Sequence, residues 1–377
     1  MGRVMLLIFV TSFVFVLYIS DFDHVFCGQK GLIKEGDDFP EISMKTPSDP
    51  MLLVYLGLSE GKSFTLTDVK ADLILVEIMN INCGSCRKQA PIYNKLYSLI
   101  ESTPETKGRI KMLAIASGSK DEYIKKYIDY FKVPYPIIED PNFALYEATG
   151  SSPLPLAIFV INNPSGQTGI VAGTHTGLNS HYKEILEEMK EFMNEDLVAI
   201  RQRGAKIETE IVEVEPVLTQ AQLFQRIVKA FFMIGDGFTT IKKVPLEMGG
   251  AVYTSVGRQR NGSDIRLFAL VVSRPPPCDL CHDIHFICIF ENTGKILRFM
   301  PLQLTKYGNE PWDFTDEAKM RDTIEGKYIF DPFDFDPGVD AVTSATITCS
   351  IIYKSLNEGQ ALFNELKRRG LIETFSR

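Results

Sequence analysis

Two rhythms of apolar residues divide the chain. Up to about residue 195, continuous apolar runs alternate with segments whose apolar positions recur at helical spacing. The runs 72–81 (DLILVEIMNI), 110–117 (IKMLAIAS) and 155–162 (PLAIFVIN) have the character of buried strands. Between and after them, 87–102 carries Ile92, Leu96 and Leu99 on one helical face, and 120–131 and 179–193 are amphipathic in the same way. Strands alternating with helices predict an α/β sheet covered on both faces. Beyond about residue 231 the rhythm changes: MGGAVYTSVGR, IRLFALVVS and HFICIFENTGKILRFMPL are short strands broken by Gly and Asn turns. They predict an antiparallel twisted sheet, and the chain then closes in a helix from about Ser350. The stretch 196–230 is a charged connector, with strand-like alternation at 207–213 and a helix after Thr219.

The whole is 377 residues long, which suggests two domains. With 45% apolar residues there is material for two cores, and a net charge of −8 without a basic stripe argues against nucleic acid as a partner. Residues 4–19 form a nearly unbroken apolar run after Arg3, longer than a usual signal core and slightly short of the roughly 20 residues that span a bilayer. Residues 1–28 therefore predict a signal peptide or membrane anchor, with an exported protein in the cell envelope behind it. The chain holds seven cysteines, and export allows some of them to form disulfides. Cys288 and Cys349 sit in apolar surroundings and are expected as core residues.

Four cysteines fall into two C-x-x-C pairs. Cys83-Gly84-Ser85-Cys86 follows a strand and opens a helix, with Pro91 five residues later, Glu77 six residues earlier and Leu154-Pro155 opening a distant strand. A thiol at a helix N-terminus faces unpaired N–H groups and the positive end of the dipole, which favour its thiolate. Redox chemistry, a structural disulfide and a metal clip all suit the bare spacing. With its surroundings, the segment 35–195 resembles the thioredoxin fold, and more closely the exported, membrane-anchored thioredoxin-like oxidoreductases. The resemblance implies that Pro155 is cis and faces the cysteines, and that Glu77 is a buried proton acceptor beneath them. Cys83, at the exposed end, would attack a client disulfide, and Cys86 would resolve the mixed disulfide. Asn82 and Ser85 stand where the family carries tryptophan and proline.

The segment 231–377 holds DAVTSATITCS at 340–350, which resembles the signature of exported FMN-binding domains. There the threonine of an Ala-Thr pair is esterified to the FMN phosphate by a flavin transferase. The matching positions are Asp340, Thr343, Ser344, Ala345 and Thr346, with Ser344 in place of the usual glycine. A helix N-terminus among small residues suits a phosphate; a Ser/Thr-rich N-cap without ligand is the plainer alternative. The second pair, Cys278-Asp279-Leu280-Cys281-His282, has the form of a c-type haem attachment sequence, with His282 as an axial ligand. A redox-active or structural disulfide, a metal site drawing on His285, and plain thiols are the other readings of this second pair.

The expected protein is thus an α/β thioredoxin-like domain followed by an α+β FMN-binding-like domain. It would act as an exported oxidoreductase on client disulfides or dithiols and trade electrons, through FMN, with membrane components. A flavin-free second half that binds partners is the alternative from a different class.

Overall fold

The computed structural model describes residues 31–162, 168–210, 214–247, 250–278 and 281–372. The expected signal or anchor at 1–28, and Cys27 with it, lies outside the described residues. Among the described residues no helix is long and apolar enough to cross a membrane.

The first half begins with the small hairpin β1 (Met44–Lys45) and β2 (Ser63–Phe64), which flank α1 (Pro50–Leu56). There follow β3 (Leu73–Met79), α2 (Gly84–Ser102), β4 (Ile110–Ser117), α3 (Asp121–Phe131), β5 (Ile137–Asp140), α4 (Ala144–Ala148), β6 (Leu156–Ile161), β7 (Ile170–Thr176) and α5 (Tyr182–Phe192). The sheet order is β5-β4-β3-β6-β7, with β3, β4 and β5 parallel and β6 and β7 antiparallel to their neighbours. This is the thioredoxin-like arrangement. Both central strands are buried along their whole length, which is why they read as unbroken apolar runs. Helix α2 turns Tyr93, Leu96 and Ile100 into the core, one face at i, i+3 and i+7, and packs against α5. Strands β5 and β7 escaped the sequence pattern: β5 is four residues long, and only the first three residues of β7 are buried.

Two helices join the halves, α6 (Leu197–Gly204) and α7 (Gln220–Ile234). Thr219 caps α7 in a reciprocal box with Gln222, the signal that marks its start. The expected strand at 207–213 is not formed over 207–210, and the rest lies outside the described residues. Helix α6 occupies the ground just before it, where Asp196 supplies an N-cap to Val198.

The second half contains β8 (Gly235–Asp236), β9 (Lys242–Pro245), β10 (Ala251–Gln259), β11 (Asp264–Arg274), β12 (Ile284–Glu291) and β13 (Ile296–Gln303). They form one antiparallel sheet of order β13-β12-β11-β10-β8, with β9 also on β10. Alternation along β12 decides its two faces. Phe286, Cys288 and Phe290 enter the core that runs continuously into the first half, while Ile287 and Ile289 meet Ile227 and Phe231 of α7. Beyond the sheet come β14 (Thr305–Lys306), β15 (Glu310–Pro311), α8 (Phe314–Ile324), α9 (Thr346–Leu356) and α10 (Gly359–Arg368). The single closing helix expected from the sequence is two helices. The break falls at Asn357–Glu358, where Asn357 turns its side chain to both backbone groups of Phe333 and Gly359 lies against the Ile329 backbone.

Candidate active site

Cys83 is the N-cap of α2, and its sulfur accepts a hydrogen bond from the Cys86 N–H at 3.3 Å. That contact offers a negative sulfur a backbone donor at the positive end of a 19-residue helix. The loop before it is built by Asn80, a buried residue outside the C-x-x-C motif. Its side chain donates to Ser117 O at 2.7 Å and accepts from the Asn82 N–H at 2.8 Å, while its carbonyl accepts from the Cys83 N–H at 3.0 Å. Gln89 ties α2 to the loop before α5 by a two-way pair with the Asn179 backbone. Tyr127 of α3 donates to the Cys86 carbonyl at 3.2 Å.

The peptide bond Leu154–Pro155 is cis, and the Cys83 sulfur lies 3.7 Å from the Leu154 carbonyl oxygen. Both cysteines are in the thiol form. Glu77 sits on β3 and is buried, with Oε1 lacking a hydrogen-bond partner. Burial, reinforced by the nearby Cys83 sulfur, pushes its carboxyl up to about 8. Burial also pushes the Cys86 thiol up, with the charges of Cys83 and Glu77 acting in the same direction. Cys86 thus holds its proton until a base takes it, and Glu77 is the carboxyl electrostatically linked to it.

One expectation changes. Cys83 is not at an exposed end: it is 1% exposed. Next to it in the motif, Gly84 meets the second half: Tyr307 lies so close that a Cβ on Gly84 would come within 3.1 Å of its ring. A side chain following β14 is invisible to any motif centred on the cysteines.

The other expected residues fall in two places. Cys278 and Cys281 form a disulfide with Cα atoms 5.1 Å apart, so both sulfurs that haem attachment would need are joined to each other. His282 is exposed at the start of the turn into β12, whereas His285 is buried with Nδ1 2.9 Å from Ser273 Oγ. Burial pushes the His285 ring down to about 4, leaving it neutral at physiological pH. The residues Asp340 to Thr346 lead into α9. Ala345 is the N-cap and provides no side-chain cap, Thr346 is the first helical residue, and Ser344 has φ +60°, the left-handed conformation in which glycine costs least. Thr346 is half-buried, Thr343 and Ser344 are exposed, and the Asp340 carboxylate accepts from the Asp336 N–H at 2.8 Å. The Tyr307 N–H donates to Ser344 O at 2.7 Å.

Fold and site together define the class of the first half, a thioredoxin-like thiol–disulfide oxidoreductase. The chain resembles the thiol–disulfide oxidoreductase ResA of Geobacillus thermodenitrificans, 27% identical over 131 residues that cover 35% of this chain and 71% of the relative. It also resembles ResA of Bacillus subtilis, 23% identical over 156 residues, 41% of this chain and 76% of the relative. Among solved structures, the thioredoxin domain of a thiol–disulfide oxidoreductase from Bacteroides vulgatus is 19% identical and has a TM-score of 0.32. It covers 42% of this chain and 99% of that one. No family model matches the chain.

Proposed function

We propose that this protein is an exported thiol–disulfide oxidoreductase whose Cys83/Cys86 dithiol exchanges electrons with client disulfides, and whose second half is an FMN-binding domain coupled to that dithiol. The observation that carries the thiol chemistry is the Cys86 N–H donated to the Cys83 sulfur at the mouth of α2, above the buried Glu77. Cys83 is the attacking sulfur, Cys86 resolves the mixed disulfide, and Glu77 takes and returns the Cys86 proton. The relatives named for the same chemistry support this reading, and the apolar segment at 4–19 supports export.

The residues at α9 fit a flavin phosphate. The first turn has no side-chain cap, the small residues Ser344 and Ala345 precede it, and the half-buried Thr346 hydroxyl begins it. A cleft of about 520 Å³, lined by His282, Thr305, Trp312 and Glu317 among others, is tied to α9 through Thr348 Oγ1, which donates to Thr305 O, and none of residues 340–346 lines it. Thr346 would hold the group through its hydroxyl, Ser344 and Ala345 would leave room for it, and Asp340 would serve attachment. FMN, when bound, supplies one-electron and two-electron steps.

The test is expression in an exporting host together with a flavin transferase. Intact protein should gain the mass of one FMN, located on the peptide containing Thr346, and Thr346→Ala should abolish the gain. A colourless protein with that peptide unmodified would remove flavin from the reading. The second half would then act as a partner-binding cover for the cysteines, a role the position of Tyr307 over Gly84 favours.

A further inference from the structure

The Leu154 backbone is paired, as a parallel β-bridge, with Cys278 of the second half. Leu154 is the residue whose carbonyl oxygen lies 3.7 Å from the Cys83 sulfur. Through that one residue the attacking cysteine of the first pair and the nearer cysteine of the second are brought to the same backbone edge. Leu154, Cys83 and Cys278 are all buried there, at 2%, 1% and 4% exposure. The contact is supported around it: Tyr307 lies on Gly84, Lys354 of α9 pairs with Glu147 of α4 at 3.1 Å, and Tyr123 of α3 donates to Asp336 at 3.2 Å. Leu154 thus links, by its backbone, a disulfide cysteine of one half to the dithiol motif of the other.

We propose that Cys278–Cys281 is an internal substrate of the first half, held on the Leu154 backbone for exchange with Cys83 and Cys86. This rests on the thiol-exchange reading of Cys83. The Cys83 thiolate attacks the Cys278 sulfur, forming Cys83–Cys278 while the Cys278–Cys281 bond breaks and Cys281 leaves as a thiolate. Cys86 then attacks Cys83, forming Cys83–Cys86 and releasing Cys278. Two electrons pass from the first pair to the second, and the protons lost by Cys83 and Cys86 end on Cys281 and Cys278. The same path run backwards oxidises the second pair, and no outside reagent enters either direction. The bridge also fixes which sulfur is attacked: the paired residue is Cys278, and Cys281 is the leaving group.

The full chain with Cys86→Ser and Cys281→Ser leaves one cysteine of each pair. On mild oxidation at high dilution it should form an intrachain Cys83–Cys278 disulfide, seen by non-reducing peptide mapping. Cys86→Ser with Cys278→Ser, leaving Cys281, should form its intrachain bond more slowly by roughly tenfold or more, because the misplaced sulfur is off the line of attack. Titration of Cys83 with a small aromatic disulfide is run beside both. If Cys83 reacts with the small disulfide but no Cys83–Cys278 bond forms, or if Cys281 joins as fast as Cys278, the internal-substrate proposal is overturned and thiol exchange stands. If Cys83 reacts with neither, both fall.

Discussion

The two C-x-x-C pairs share a spacing and little else. Cys83 and Cys86 straddle the start of a 19-residue helix, where the backbone offers the first sulfur a donor and a buried carboxyl lies below. Cys278 and Cys281 sit in a loop between β11 and β12, joined to each other, with an exposed histidine next in line. The spacing permits a disulfide in both; only the helix and the carboxyl make one pair a nucleophile and a resolving partner. Chemistry at a C-x-x-C is thus set by the element that carries it.

The sharpest break of this comparison is Cys83→Ser, which should take insulin-type disulfide reduction by the full chain to the uncatalysed rate. Cys86→Ser should instead leave Cys83 in trapped mixed disulfides, visible on non-reducing gels. Retained turnover in Cys83→Ser would move the chemistry to the other pair. Tyr307→Ala should raise the rate at which Cys83 reacts with a soluble disulfide several-fold, since the exposed tyrosine lies on Gly84, next to Cys83, and contributes little core packing. An unchanged rate in stopped-flow titration would mean that Tyr307 does not limit access.

Glu77 gives a pH signature that the second pair lacks. Its carboxyl is raised from 4.5 to about 8 in the folded protein, so the native state holds a proton that the unfolded chain gives up. The associated stability is present below the unfolded value and is lost as pH rises towards and through 8, at up to about 1.4 kcal/mol per pH unit. Urea unfolding at pH 5 and pH 8 should show this loss, and Glu77→Gln should flatten it. An identical slope in the variant would assign the pH dependence elsewhere. The smallest effect belongs to Thr346→Ala. Thr346 follows the N-cap, so stability should change by no more than a few tenths of a kcal/mol, against about 1 kcal/mol for loss of a true cap. A cost near the larger figure in thermal unfolding would restore the capping role.

What could be foreseen divides by distance along the chain. The strand–cysteine–helix unit at 72–102 was legible because its signals are local: an apolar run, a motif and a helical stripe. Pro155 and Glu77 could be placed only through the resemblance, because nothing near them in sequence points to the cysteines. Asn80 falls inside the run 72–81 that reads as a strand, yet it lies past the end of β3 and its side chain builds the turn into Cys83. The approach of Tyr307 to Gly84 and the pairing of Leu154 with Cys278 depend on how two halves meet, and no window of sequence spans that contact. Strand β7 has a simpler reason for escaping the pattern, since its last four residues are Gly, Thr, His and Thr, alternately half-buried and exposed, and they dilute the apolar signal.

The tyrosine over Gly84 bears on competition. A client that approached Cys83 over Gly84 would compete with a side chain tethered to the same chain, whose local concentration does not fall on dilution. Effective concentrations of tethered groups reach the millimolar range for short flexible links. A client present at micromolar levels would therefore gain entry by binding the second half as well, or by arriving when the seam is open. Selectivity would then be exercised at the seam, before any sulfur is touched.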